Sequence, residues 1–249
     1  METTVTRVDL NALMDVKDAP PSARAATGAR FRLTGLDWAM LGSVGLSVAL
    51  NVVSAQLGRG CPTAALTDLA VSGYLLALAR RRMWRPLLGR LFLFGAMAGM
   101  LELATDAAGE QFAHSLIYPA NTPLVWASPI YMPLSWALVL TQVGYLGWRL
   151  GGAVKLPWAM LLTALWAGAN IPFYEEMAYH AGWWRYADAP RLGHTPLYVI
   201  LFEALIGASL PLLLGAVERR PWRAAALRGA LEGAWMLAAA LCAWLLLGR

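Results

Sequence analysis

Residues 80–107 read RRRMWRPLLGRLFLFGAMAGMLELATDA. Arginines at 80, 81, 82, 85 and 90 come first, an apolar run follows, and the run closes on two acids, Glu102 and Asp106. A hydrocarbon core about 30 Å thick is crossed by about 20 predominantly apolar helical residues, and basic residues collect at the cytoplasmic ends of such helices. The stretch therefore predicts a membrane helix over 88–107 with its basic end inside and carboxylates near its far end.

The rest of the chain repeats this pattern. Of its 249 residues 59% are hydrophobic and 14% charged, against about 25% charged in an average soluble domain. Apolar segments of span length lie at 36–57, 62–79, 88–107, 128–148, 156–175, 196–217 and 226–247. The expected fold is all-α, a polytopic membrane bundle of about seven transmembrane helices. Pro62, Pro157, Pro196 and Pro221 fall near helix starts, where a missing N–H costs little. Residues 1–35, mixed in charge and broken by Ala-Pro-Pro-Ser at 19–22, read as a flexible cytoplasmic tail without the apolar core of a signal peptide. Residues 36–249 form the transmembrane domain.

Sorting Lys and Arg by side orients the bundle. With the N-terminus inside, 16 of the 20 basic residues share one side, and only Arg59, Arg185, Arg191 and Arg249 take the other. This is the positive-inside asymmetry of an N-in, C-out protein in an inner or plasma membrane. Clustered beside apolar segments, these charges read as topology signals, which sets nucleic acid aside as a partner. Two cysteines, Cys61 and Cys242, are too few for a disulfide scaffold or a cysteine-built metal cluster. No Gly-rich phosphate loop follows a predicted strand, so no soluble redox cofactor is expected.

The two long connections, at about 108–127 and 180–195, fall on the outer side. Long loops with their own polar chemistry are disproportionately functional. Charges inside spans are costly and face the bundle interior, so each marks a candidate site. At 1.5 Å per residue, Glu102 lies about 18 Å above Arg90, Asp106 one turn further out, and Glu203 about 13 Å below His194. Asp68, Asn51, Asn170, Glu175 and Glu176 map to the same leaflet, as do His114, His180 and His194. Glu232 lies near the inner side, four residues from Arg228, where an i,i+4 ion pair explains it.

This layer supports proton chemistry. Glu102 with Asp106, and Glu176 with His180, share helical faces by their i,i+4 spacing, and carboxyls brought close can divide acid and base roles. Aromatic rings surround them: Trp136, Trp166, Tyr174, Trp183, Trp184 and Tyr186, with Asn170. Aromatic faces stabilise cations without trapping them as a nucleophile would. Acid plus aromatic lining is what proton-initiated carbocation chemistry on a hydrophobic isoprenoid or lipid substrate requires. The alternative is a divalent metal held by Glu102, Asp106, Glu176, His180, His114 and His194 in a metal-dependent lipid enzyme. A third class is a small proton-coupled transporter or ligand-binding bundle whose buried acids relay protons.

A faint internal repeat accompanies the layer. Glu102, Asp106, Tyr118, Pro129, Pro133 and Trp136 in one half answer Glu175, Glu176, Gly182-Trp-Trp-Arg-Tyr186, Pro196 and Glu203 in the other. Each half is a helix ending in acids, an aromatic loop and a Pro-led helix. Repeats that share a polar site at their interface are a recurring membrane architecture.

The turn Pro172-Phe-Tyr-Glu-Glu176 is similar to the Pro-x-Glu-Glu motif of the small integral-membrane lycopene cyclases, lengthened by one residue. The Gly-x-Trp-x-Tyr segment with its Pro-led span resembles the repeated segments of membrane carotenoid-biosynthesis proteins, and the likeness covers about 100–205. It implies a terpenoid or carotenoid cyclase-like isomerase, or a hydratase, that protonates a C=C bond without a cofactor. Glu175 and Glu176 would be the acids of the motif, with Glu102, Asp106 and Glu203 as further catalytic carboxyls and the aromatic set lining the substrate.

Overall fold

The structure is a computed structural model that describes residues 32–248. Most of the expected tail thus lies outside the described residues. Seven long helices follow: α1 Gly35–Leu57, α2 Cys61–Ala79, α3 Arg85–Ala107, α4 Met132–Gly151, α5 Leu156–Ala181, α6 Leu197–Leu213 and α7 Trp222–Leu247. A short π-helical turn, Ala108–Phe112, extends α3. Six two-residue strands, β1 Leu116–Ile117, β2 Leu124–Val125, β3 Ser128–Pro129, β4 Arg185–Tyr186, β5 Arg191–Leu192 and β6 Thr195–Pro196, lie in the two long connections.

Among the described residues, five helices are long and apolar enough to cross a membrane: α1, α2, α3 with its π turn, α5 and α7. The all-helical class and the membrane character thus hold, while span length alone does not establish seven crossings. At 17 residues α6 is shorter, and α4 is diluted by Pro133, Gln142 and Arg149. The expected start of α4 at 128 moves to Met132 because Ser128 and Pro129 are taken into β3. The expected end of α5 at 175 moves to Ala181, and the helix runs through Pro172. The Pro-Phe-Tyr-Glu-Glu segment is therefore inside a helix instead of at its end.

Burial is inverted on α1. Its buried face carries Asp37, Ser43, Ser47, Asn51 and Ser54, whereas Trp38, Leu41, Val53 and Leu57 are exposed. In water this would be unfavourable, but with lipid outside, the apolar face belongs outward and the polar groups face inward. The apolar core includes Leu36 and Met40 of α1 and continues where Leu91, Phe94 and Ala98 of α3 meet Leu210 of α6, Met236 of α7 and Leu214.

Two glycine pairs let backbones touch there. A Cβ on Gly95 or Gly99 of α3 would meet the carbonyl oxygens of Ala137 or Pro133 at 2.6 Å. One on Gly229 of α7 would clash with the Phe94 carbonyl oxygen, and Gly233, one turn on, faces Ala98 and Leu101. Both pairs are small-xxx-small motifs, the means by which membrane helices approach closely.

The connections alternate between the two ends of the bundle. At one end Gly60 N–H donates to Ala181 O at 2.8 Å, and β1 pairs with β4 antiparallel, joining the α1–α2, α3–α4 and α5–α6 connections. At the other, Arg90 Nε donates to Arg220 O at 2.7 Å, Trp148 Nε1 to Glu218 Oε2 at 2.8 Å, and Arg149 pairs with Asp37 at 3.0 Å. The basic residues of the α2–α3, α4–α5 and α6–α7 connections gather at this second end. Glu232 departs from its expected pairing: both its oxygens accept from Ser209 Oγ, at 2.8 and 2.7 Å. Arg228 instead donates to the carbonyls of Leu213 and Gly215 at 2.6 and 3.2 Å, the preferred partners of a cation beside a helix C-terminus.

Candidate functional site

A cavity of about 560 Å³ runs through the bundle, within the 300–1,000 Å³ typical of ligand sites. Along α4 its lining recurs at Met132, Ser135, Trp136, Val139, Gln142, Val143, Leu146 and Arg149. This face spans about 25 Å at 1.5 Å per residue. The cavity therefore reaches from the Asp37–Arg149 pair at the basic end to the paired loops at the other.

Acids and aromatics converge at the loop end. Glu102, Asp106, Glu175 and Glu203 line the cavity, with Trp136, Trp166, Asn170, Tyr174, Trp183, Trp184 and Tyr186. Three separate helices supply the carboxyls. Glu102 and Asp106 lie one turn apart near the end of α3, Glu175 in the last two turns of α5, and Glu203 in the second turn of α6. Glu102 faces both Asp106 and Glu203 as neighbouring charges, and Glu203 faces Glu175.

The loops hold two of these carboxyls in the same way. Asp106 Oδ2 accepts from Tyr118 Oη at 2.6 Å and Ser128 Oγ at 2.7 Å. Glu175 accepts from Trp184 Nε1 at 2.7 Å and from Tyr186 Oη at 3.2 Å. Asp68, on α2, accepts from Ser135 Oγ at 2.5 Å. Glu102 differs, since its Oε2 is buried without a hydrogen-bond partner, as is the Tyr131 hydroxyl, and both residues line the cavity. A buried polar atom left unmet is costly and points to a polar ligand atom or water as its partner. Burial first, and the carboxyls of Asp106 or Glu175 second, push the phenols of Tyr118 and Tyr186 well above their usual range. Both remain hydrogen-bond donors at any physiological pH.

Two hairpins beside the site share one geometry. Pro123-Leu-Val-Trp-Ala-Ser-Pro-Ile-Tyr131 and Pro190-Arg-Leu-Gly-His-Thr-Pro-Leu-Tyr198 each form a two-stranded hairpin, β2–β3 and β5–β6. Ile130 N–H donates to Pro123 O at 2.9 Å and Leu197 N–H to Pro190 O at 2.8 Å. Trp126 and Gly193 occupy the same step with φ of 56° and 61°. Glycine adopts that left-handed conformation freely, whereas tryptophan is strained in it.

The six residues of the metal alternative do not meet in one place. Glu102 and Asp106 face the cavity, while Glu176, His180 and His194 group outside it, each with a donor atom within 4.8 Å of the others. His114, exposed in the α3–α4 connection, belongs to neither set. Glu176, expected as a catalytic acid, is thus not brought into the cavity. Cys61 and Cys242 are free.

Two features are not apparent from the sequence pattern alone. Tyr118 and Ser128 were not expected as partners of Asp106, because both bonds depend on how a loop folds back over α3. Asp37, Tyr145 and Arg149 form a buried polar end to the cavity, with Tyr145 Oη 2.7 Å from Asp37 Oδ1. A signal for it existed in Thr34-Gly-Leu-Asp37, whose spacing is that of a capping box.

No curated protein and no solved structure matches this chain. The family model described as domain of unknown function DUF6989 matches residues 103–247, from the last turn of α3 through α7, and so takes in both loops, both hairpins and most of the acids. The chain belongs to this DUF6989 family.

Proposed function

We propose that the protein is an integral-membrane enzyme that isomerises or hydrates a long acyclic isoprenoid by protonating a C=C bond. The observation that carries this reading is one elongated apolar cavity with buried carboxyls and aromatic rings gathered at one end. The slot takes an extended hydrocarbon chain lengthwise, so that its terminal double bond lies among Glu102, Asp106, Glu175 and Glu203. Glu102, with an oxygen uncommitted to the protein, delivers the proton in its acid form. Trp136, Trp166 and Trp184 face the resulting cation, each desolvated cation–π contact contributing about 2 kcal/mol. A neighbouring carboxylate, Asp106 or Glu175, then removes a proton from carbon to complete an isomerisation, or from an added water to complete a hydration.

In this reading all seven helices cross the membrane, the basic end faces the cytoplasm and the acidic end faces out, in accord with the alternating connections and the positive-inside rule. The matched hairpins support descent of the two halves from one duplicated unit. The likeness to lycopene cyclases enters as support for the reaction class, with Glu175 as the motif acid.

The test is turnover of acyclic polyprenoid and carotene substrates by the protein in detergent micelles, with products resolved by mass. Conversion by the wild type, lost in Glu102→Gln with substrate binding retained, is expected. Full activity in Glu102→Gln and in Glu175→Gln would overturn the proposal. The polar lining of Asp37, Ser47, Asn51, Asp68 and Gln142 along the cavity favours a second reading, a small proton-coupled transporter. Substrate uptake into liposomes driven by a pH gradient, with no product formed, would select it.

A further inference from the structure

Outside the cavity, where the end of α5 meets the β5–β6 hairpin, Glu176 sits between two imidazoles. Its Oε1 lies 3.0 Å from His180 Nε2 and its Oε2 lies 2.8 Å from His194 Nδ1. The two histidine rings are 5.6 Å apart at their centroids, and Tyr179 stacks on His194 at 3.5 Å and 13°, fixing the ring plane.

We propose that Glu176, His180 and His194 form a three-ligand site for a first-row divalent transition metal of the Zn²⁺ or Co²⁺ type. Imidazole and carboxylate are the donors such ions take. With metal–ligand bonds of about 2.0–2.1 Å, a tetrahedral ion sets its donors about 3.4 Å apart. The present donor atoms, all within 4.8 Å of one another, reach that by small side-chain rotations. Two ligands come from one helix face at i,i+4 and the third from a loop, and the fourth position is left to water.

The competing explanation is that the triad only hydrogen-bonds the hairpin to α5. The matching half of the molecule argues against it. If Glu175 is aligned with Asp106 and Pro190 with Pro123, the positions of Glu176, His180 and His194 are filled by Ala107, Gln111 and Ala127. The β2–β3 hairpin forms there with the same backbone bond. The hairpin fold therefore does not need this triad, and its three donors are an addition confined to one half. An ion at the site would pin the hairpin to the turn of α5 that follows Glu175.

The test titrates Co²⁺ into the full-length, untagged protein after chelator treatment and reads the visible d–d absorption. One equivalent per chain is expected, displaced by Zn²⁺. Loss of even a supporting partner of a metal ligand costs 10–100-fold in affinity, so His180→Ala and His194→Ala should each weaken binding by at least about tenfold. Both side chains are partly exposed, and size-exclusion elution checks that the variants fold. Glu102→Gln should bind the ion as the wild type does, so failure of the cavity reading and failure of this one are distinguishable. Absence of saturable one-equivalent binding in the wild type, or undiminished binding in the double histidine variant, would overturn the proposal.

Discussion

Tyr118 shows what a single donor contributes to a buried carboxyl. Its hydroxyl is one of two on Asp106, and a hydrogen bond to a charged group contributes about 1.5–3 kcal/mol. Tyr118→Phe should therefore lower turnover roughly 10- to 100-fold while leaving the helices in place, measured as product formed per mole of protein beside circular dichroism of the same sample. The phenols also set an alkaline limit. Tyr118, Tyr186 and Tyr131 all have their ionisation pushed up, in each case first by burial. A phenol whose folded value exceeds its unfolded one adds stability that is complete below about pH 10 and is lost as pH rises toward the folded value. Thermal stability in detergent should thus fall off above about pH 10, and the Tyr118→Phe variant should lose less over that range.

Among the elements, the close crossing of α3 and α7 depends on having no side chain at Gly229, since a Cβ there would clash with the Phe94 carbonyl oxygen. Gly229→Val should destabilise by 1–3 kcal/mol or more, as overpacking does. Gly73, in α2, has nothing within 4 Å of its would-be Cβ. Gly73→Ala should therefore be neutral or gain about 0.5–1 kcal/mol from helix propensity. Melting temperatures of the two variants, compared in one detergent, separate packing from propensity. The element scale is also where sequence reading and structure diverge in detail. Apolar run length located each of the seven long helices, because crossing or packing in a membrane needs a minimum length. It missed the ends: Ser128 and Pro129 look apolar enough to begin α4, yet their backbone groups are used by a hairpin. The segment expected to end at 175 runs six residues further, through Pro172 to Ala181.

At the scale of the whole molecule, the inverted α1 and the long slot are one feature, because the polar face of α1 forms a wall of the cavity. A ligand that binds only the folded protein at 100 times its Kd stabilises it by about 2.7 kcal/mol. An acyclic polyprenoid should raise the melting temperature accordingly. Val139 lines the slot and is 40% exposed. Val139→Trp should abolish that thermal shift without lowering the melting temperature of the ligand-free protein, whereas an equal shift in wild type and variant would place the ligand elsewhere.

The amino-acid order by itself determined that the chain is a helical membrane protein, that its basic residues mark one end, and that costly acids and aromatics collect at the other. These properties follow from transfer energies and helical rise, which act on each segment separately. Tertiary structure decided which of those residues meet. Glu175 and Glu176 are neighbours in sequence, but successive residues on a helix point about 100° apart, so one faces the cavity beside Asp106 and Glu203 while the other joins two histidines outside it. That division, and the loop hydroxyls that hold Asp106, depend on contacts between segments far apart in the chain, which no local pattern encodes.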